Sequence, residues 1–408
     1  MTNSTGPLAA KERFAILDIL RGIALLGICL ANFGELSLYT FQPEQVSMAM
    51  PTAGTDNIIS FFQYFLVDGK FYTLFSLLFG IGFSIILENC EKSGRNSIRV
   101  FYRRMIILAI IGLAHLILLW AGDILLLYAL LGMLLPLFRK MSNGRLLIFA
   151  VVLLLAPIAM DTFSVLSEGR YSLMIPVNHA IDNLHGQSGI TPENFGIWLR
   201  DRESYGDVLR FNLAGSFIRA GEFIEGNRVF KVLGLFLLGL YIGRKRIFTD
   251  LAGNKPLLRQ VRNWGFTIGI PTSLLYAWNA VVHYPAGMVG STAIYTVSVV
   301  PMGLAYAASI ALWYEASRNK RHFNPVAQTG RMALTNYIGQ SVAGMIIYYG
   351  IGFSLGASMG LAYVELVALG VFALQMILSN LWLHWFRYGP LEWIWRMLTY
   401  GKLLKLIK

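Results

Sequence analysis

Residues 15–36 read Ala15-Ile16-Leu17-Asp18-Ile19-Leu20-Arg21-Gly22-Ile23-Ala24-Leu25-Leu26-Gly27-Ile28-Cys29-Leu30-Ala31-Asn32-Phe33-Gly34-Glu35-Leu36. A helix needs about 20 mainly apolar residues to cross the roughly 30 Å hydrocarbon core of a bilayer. This run has that length, contains Asp18 and Arg21, and lacks a small-residue cleavage site, so it predicts a retained first span rather than a signal peptide. Leu26-Gly27-Ile28-Cys29 also misses a lipoprotein cleavage pattern, because Ile28 is bulky where a small residue is needed. Nine more such runs follow, at about 69–88, 105–121, 123–138, 145–161, 231–243, 263–282, 291–313, 333–354 and 361–385. Each is expected to be a helix, because a backbone in lipid must satisfy its N–H and C=O groups within the segment or in a closed barrel, and these runs are too continuously apolar for barrel strands.

Composition agrees. Of 408 residues, 56% are hydrophobic and 14% charged, whereas a soluble domain carries about 25% charged residues. The formal charge of +12 would suggest an acidic partner in a soluble protein. Here the basic residues fall instead in alternate connections, as the positive-inside rule requires. With the N-terminus inside, 25 of the 34 Lys and Arg lie in inner segments: Lys11 and Arg13, Lys92 to Arg104, Arg139 to Arg145, Arg244 to Arg262, Arg318 to Arg331, and Arg387 to Lys408. The connections around 37–57, 122, 283–290 and 355–360 contain none. The charge is therefore a topology signal that also favours anionic lipid, and no nucleic-acid partner is expected.

The predicted fold is all-α: a single integral membrane domain over 1–408, a polytopic bundle of about ten spans with both termini cytoplasmic. Its one long outer loop, 162–230, includes Pro176 and Pro192 and carries six Arg, which a loop of that length tolerates. The stretch Phe195 to Ile224 mixes Trp198, Leu199, Val208, Leu209, Phe211, Phe217 and Ile218 with charges, predicting short amphipathic helices that lie on the outer face or cap a cavity. Residues 386–408 form a basic cytoplasmic tail. Ser76, Gly80 and Ser84 in one span and Gly239 and Gly243 in another are small residues at helical spacing, as close packing between helices requires. Two cysteines, Cys29 and Cys90, are too few for a disulfide framework.

Charge inside a bilayer costs about 2.5–3.5 kcal/mol per group at the centre, so the groups that persist are the candidates for function. Asp18 and Arg21, three apart on one helical face, form either a structural ion pair or a donor-side anchor for an anionic group. His115 and Asp123 lie near an outer turn and are the candidate catalytic pair, since a carboxylate fixes the imidazole tautomer and stabilises its cation; a clamp between adjacent helices is the alternative. Asp68 and Lys70 flank Gly69 at another outer turn, as solvated charges or as pocket groups. Asn336 and Gln340 share a face of the ninth span, and Gln375, Asn380 and His384 line the tenth, as interhelical glue or as a polar path. His179-x-x-Asp182-x-x-His185 turns its histidines well apart, and no metal site is expected.

Several blocks of sequence resemble the YeiB-like family of bacterial inner-membrane proteins, a domain-of-unknown-function group. They are Leu17 to Ile28 continuing to Asn32; Lys70-Phe71-Tyr72-Thr73-Leu74-Phe75-Ser76-Leu77-Leu78-Phe79-Gly80-Ile81-Gly82; His115 with Gly122-Asp123-Ile124-Leu125; Gly330 to Tyr337 with Gln340-Ser341; and Gly389 to Tyr400. More remotely, Leu17-Asp18-Ile19-Leu20-Arg21-Gly22 is similar to the opening of bacterial membrane O-acyltransferases, and the layout resembles heparan glucosaminide acetyltransferase. That resemblance implies transfer of an acyl group from cytoplasmic acyl-CoA, as co-substrate rather than resident cofactor, to an envelope glycan or other acceptor beyond the inner membrane. It implies a cytoplasmic basic site for CoA phosphates, which Arg21 and the inner basic loops would supply, and a His that accepts the acyl group or deprotonates the acceptor. The sequence departs from the pattern at that His: Asn32 stands at one such position and Phe61-Phe62-Gln63-Tyr64 at the other. Three readings stay open at this point: a transmembrane acyltransferase using His115 and Asp123 with Asp18, Arg21, Asn32, Asp68, Lys70, Asn336 and Gln340 binding substrates; a permease for a small polar solute; and a scaffold or sensor without catalysis.

Overall fold

The computed structural model describes residues 15–92, 94, 96–170, 175–191 and 193–408; Lys11, Arg13, Arg95 and Pro192, invoked above, lie outside the described residues. Every regular element among the described residues is helical. The first span is α1 (Ala15–Leu36). Two short helices, α2 (Glu44–Met48) and α3 (Ala53–Phe62), lead through a π-helical turn at Gln63–Val67 into α4 (Lys70–Lys92). Next come α5 (Ser97–Leu118), α6 (Leu125–Gly132) and α7 (Asn143–Leu166). Within the long connection lie α8 (Ile175–Ser188), α9 (Phe195–Trp198) and α10 (Tyr205–Ile224). The chain continues through α11 (Arg228–Arg244), α12 (Lys255–Val281), α13 (Gly287–Ala316), α14 (Asn324–Arg331), α15 (Ala333–Tyr348), α16 (Leu361–Trp385) and α17 (Pro390–Tyr400).

Six helical stretches among the described residues are long and apolar enough to cross a membrane: 15–36, 53–92, 97–118, 143–166, 287–316 and 361–385. Their outward faces carry exposed Ile148, Val151, Val152 and Leu155 on α7 and Leu366, Leu374, Ile377 and Leu381 on α16. Apolar surface of that extent indicates a membrane-embedded protein. The other four runs fold as helices of a different kind. The run 123–138 is α6 followed by a 3-10 turn at Leu135–Phe138 containing Pro136, which cannot continue a helix ladder. Helices α11 and α15 have 17 and 16 residues. The 27-residue α12 is long, but opens with Lys255, Arg259 and Arg262 and carries Pro271, Thr272, Ser273 and Asn279.

The predicted small-residue faces meet. A methyl group at Gly80 would lie 2.1 Å from the Phe236 carbonyl oxygen, and one at Gly239 would lie 2.2 Å from that of Leu77. Glycine is required on both sides because the backbones of α4 and α11 touch, and in lipid the attraction comes from such close dispersion contact. The long connection covers one end of the bundle. The Tyr205 hydroxyl and the Asn212 amide donate to the carbonyls of Leu118 and Ile117, which the end of α5 leaves without helical partners, and the Arg219 Nε donates to that of Ala121 in the turn that follows.

Candidate functional site

Between α1, α4, α5, α11 and the α15–α17 region lies a cavity of about 960 Å³, near the top of the roughly 300–1,000 Å³ range of small-molecule sites. Its waist is apolar and aromatic, formed by Phe71, Phe75, Leu78, Phe79, Met105 and Leu108. Both ends are polar.

At one end stand Asp18, Arg21, Arg104, Arg331, Glu392, Trp395, Arg396 and Tyr400. Arg21 and Asp18 pair at 2.7 Å, so the expected ion pair forms and sits on the cavity wall. The Arg104 guanidinium lies 3.7 Å from the centre of the Trp395 ring, whose indole N–H donates to the Arg104 carbonyl at 3.0 Å. Glu392 is consumed by structure: it accepts from the Leu334 and Thr335 amides at 2.7 and 3.0 Å and from the Thr335 hydroxyl at 2.6 Å, capping α15. Burial pushes its carboxyl above the usual range, and these hydrogen bonds oppose the rise without cancelling it. Four guanidinium groups thus face two carboxylates, one of them fully engaged.

At the other end the wall includes Asn32, Glu35, Asp68, Arg219, Arg228, Lys231, Tyr276 and Tyr295. Arg219, brought in by α10, donates to Glu35 at 3.0 Å and to Glu222. Burial alone would lower the pKa of its guanidinium, and these two carboxylates raise it instead. The Tyr276 hydroxyl donates to Asp68. The turn placing Asp68 needs Gly69: its φ is +73°, and a Cβ there would meet Val299 at 2.6 Å and the Tyr295 hydroxyl at 2.7 Å. Asn32, half-buried, lies one turn before Glu35 on α1.

The remaining candidates lie off the wall. His115 and Asp123 do pair, Nδ1 to Oδ2 at 2.8 Å, and the second ring nitrogen, Nε2, meets the Ser341 hydroxyl at 2.8 Å. With Nδ1–H donated to the carboxylate, Nε2 accepts from Ser341. The other carboxylate oxygen of Asp123 takes the Leu126 amide at 2.7 Å. Both side chains are fully enclosed, and Tyr337, whose ring centre is 5.2 Å from that of His115, stands between them and the cavity. Lys70 is completely buried, donating to the Tyr64 carbonyl at 2.5 Å with its ammonium 4.8 Å from the centre of the Tyr276 ring. Asn336 donates to the Thr329 carbonyl and Ser379 hydroxyl at 3.1 and 2.9 Å, and Gln340 to Gln375 at 3.2 Å, so both join α15 to its neighbours.

Residues 242–402 match a family described as a protein of unknown function, DUF418. Over 98% of its length the chain is 29% identical to a Bacillus subtilis protein called uncharacterized protein YxaH, covering 97% of that protein. It is 28% identical to the Escherichia coli uncharacterized protein YeiB, over 95% of this chain and 96% of the other. The similarity to YeiB thus extends over nearly the whole chain. An uncharacterized 39.9 kDa protein of Bacillus acidopullulyticus, from the amylase 3' region, is 28% identical over 97% of this chain and 96% of its own. The segment that matches this family model supplies Tyr276, Tyr295, Arg331, Tyr337, Glu392, Trp395, Arg396 and Tyr400 to the cavity wall.

Proposed function

We propose that this chain is a multi-pass protein of the bacterial cytoplasmic membrane, with about ten spans and the Arg21 end of its cavity facing the cytoplasm, that transfers an acyl group from acyl-CoA to an acceptor on the outer side. The observation that carries this reading is the cavity itself: guanidinium surplus at one end, an apolar waist, and a polar chamber at the other. A CoA diphosphate is suited to Arg21, Arg104, Arg331 and Arg396, because guanidinium groups bind phosphate oxygens bidentately. The waist suits the thioester arm and acyl chain. In the transfer, the acceptor hydroxyl oxygen forms a bond to the thioester carbonyl carbon, the C–S bond breaks, and the hydroxyl proton ends on the departing thiolate.

Asn32 orients groups near this junction by hydrogen bonding and cannot accept the proton, leaving Glu35 and Asp68 as the wall carboxylates able to do so. His115 and Asp123, with their partners at 2.8 and 2.7 Å, act by holding α5, α6 and α15 in place. The test is release of free thiol from acetyl-CoA and longer acyl-CoAs by proteoliposomes supplied with glycan or lipid acceptors. Acceptor-dependent release lost in Arg21→Ala supports transfer. Release absent under every acceptor, alongside flux of a small anionic solute, establishes the permease reading, which the polar lining at both cavity ends favours as the second choice.

A further inference from the structure

The Lys231 end of the cavity contains cations that the acyl-donor site does not use. Helix α11 begins there, with Gly226, Arg228 and Lys231 on the wall. Asn227 precedes the helix with φ 53° and gives no side-chain cap, because its amide donates to Asp161 at 2.6 Å. The first amides of this 17-residue helix have no side-chain cap, and the positive end of the helix dipole lies at this end of the cavity.

Each carboxylate nearby has a partner other than Lys231. Glu35 takes Arg219, Asp68 takes the Tyr276 hydroxyl, and Asp161 takes Asn227 and the Thr292 hydroxyl. Glu222 takes Arg219 and stands 3.5 Å from Arg228, a long contact. Lys231 has the Gly226 carbonyl at 3.3 Å and the face of Tyr295, with its ring centre at 4.4 Å. The Tyr72 hydroxyl, on the same cavity, is buried with no hydrogen-bond partner among the described residues. A buried hydroxyl without a partner costs about 1–3 kcal/mol, which an acceptor oxygen from a ligand would recover.

We infer that Arg228, Lys231 and the Tyr72 hydroxyl form an anion site for a phosphate group at the end of the cavity opposite Arg21. Combined with the acyl-transfer reading, on which this last step rests, the site makes the acceptor a phosphate-bearing molecule: a lipid phosphate or a soluble phosphate ester. The anion site itself is independent of that reading.

The experiment uses the full-length protein in phosphatidylcholine nanodiscs, carrying Arg21→Gln to weaken the opposite end, and dependence on Arg228, Lys231 and Tyr72 assigns the binding to this one. Inorganic phosphate is titrated by calorimetry, and phosphatidic acid is introduced and counted by native mass spectrometry. Saturable binding is expected, weakened about tenfold or more by Arg228→Gln or Lys231→Gln, the loss of one charge-assisted hydrogen bond. Tyr72→Phe, which keeps the ring, is expected to weaken it several-fold and tests the site even if a charge variant fails to fold. Binding of phosphatidic acid alone assigns a lipid source, and binding of inorganic phosphate assigns a soluble one. No saturable binding of either by folded protein, or binding unchanged by all three substitutions, overturns the inference. Phosphate binding at this site without acyl-CoA binding by the parent protein overturns the acyl-transfer reading and leaves the anion site standing.

Discussion

The His115 cluster and the Arg21 cluster are both polar groups buried in an apolar bundle, and they are built in opposite ways. Around His115 the atoms engaged by Asp123, Ser341 and the Leu126 amide close on one another, and the group sits behind Tyr337. Around Arg21 the four guanidinium groups of Arg21, Arg104, Arg331 and Arg396 line open volume. A closed network is what a helix clamp needs, because an unpaired polar group in low dielectric is costly. A surplus of one charge persists only where a ligand or solvent offsets it. Enclosure against exposure to open volume, more than residue type, thus separates positioning groups from binding groups here.

Breaking the closed cluster should have the largest effect. Asp123→Ala strands a buried imidazole and the Leu126 amide, and a loss of about 3–5 kcal/mol is expected; Ser341→Ala, which removes one hydrogen bond, should cost about 1 kcal/mol. Thermal unfolding in detergent measures both, and ligand affinity of the folded fraction should change less than threefold. Loss of affinity at unchanged stability would make His115 a binding or catalytic group after all. Arg21→Ala should show the converse, with acyl-CoA affinity down about tenfold or more, since a charge-assisted hydrogen bond contributes about 1.5–3 kcal/mol, and an unfolding midpoint within a few degrees of wild type.

Glu392 is a closed group inside the open cluster. Glu392→Ala leaves the Leu334 and Thr335 amides unpaired and should cost about 1–3 kcal/mol; Glu392→Gln keeps an acceptor oxygen and should cost less. Because the folded-state pKa is raised, the stabilisation from protonated Glu392 is complete below its unfolded pKa of about 4.3 and is lost as pH rises through the higher folded value. The unfolding midpoint of wild type relative to Glu392→Gln should therefore fall as pH is raised from about 4 toward neutrality. The smallest effect is expected at Gln340, whose amide donates to Gln375 and whose Oε1 has no partner among the described residues: Gln340→Leu should change stability by about 0.6 kcal/mol or less.

Most of the helices, and two wall residues at each end of the cavity, Asp18 and Arg21 at one and Asn32 and Asp68 at the other, are legible in the sequence. The hydropathy of 15–36 and 361–385 sets the helix boundaries directly, because lipid permits little else. Asp18 and Arg21 were legible because a charge pair inside an apolar run stands out at helical spacing. Their cavity partners were not. Arg104, Arg331 and Arg396 look like any other residues of basic inner segments, and only the folding of α17 against α5 and α15 turns them inward. At the other end, Arg219 and Arg228 belong to a connection whose charges read as solvated, and Tyr72, Tyr276 and Tyr295 are aromatic residues in apolar helices, indistinguishable from packing. The span limits at 123–138 and 333–354 failed because Pro136 and the turn after Tyr348 interrupt the helix without interrupting the hydropathy.

The most direct test of the central claim is equilibrium binding of acyl-CoA by the purified protein in nanodiscs, comparing wild type, Arg21→Ala and His115→Ala. Saturable binding that is lost in Arg21→Ala and retained by the folded fraction of His115→Ala is the expected result. No saturable binding by well-folded wild-type protein, or binding that depends on His115 and not on Arg21, would contradict it.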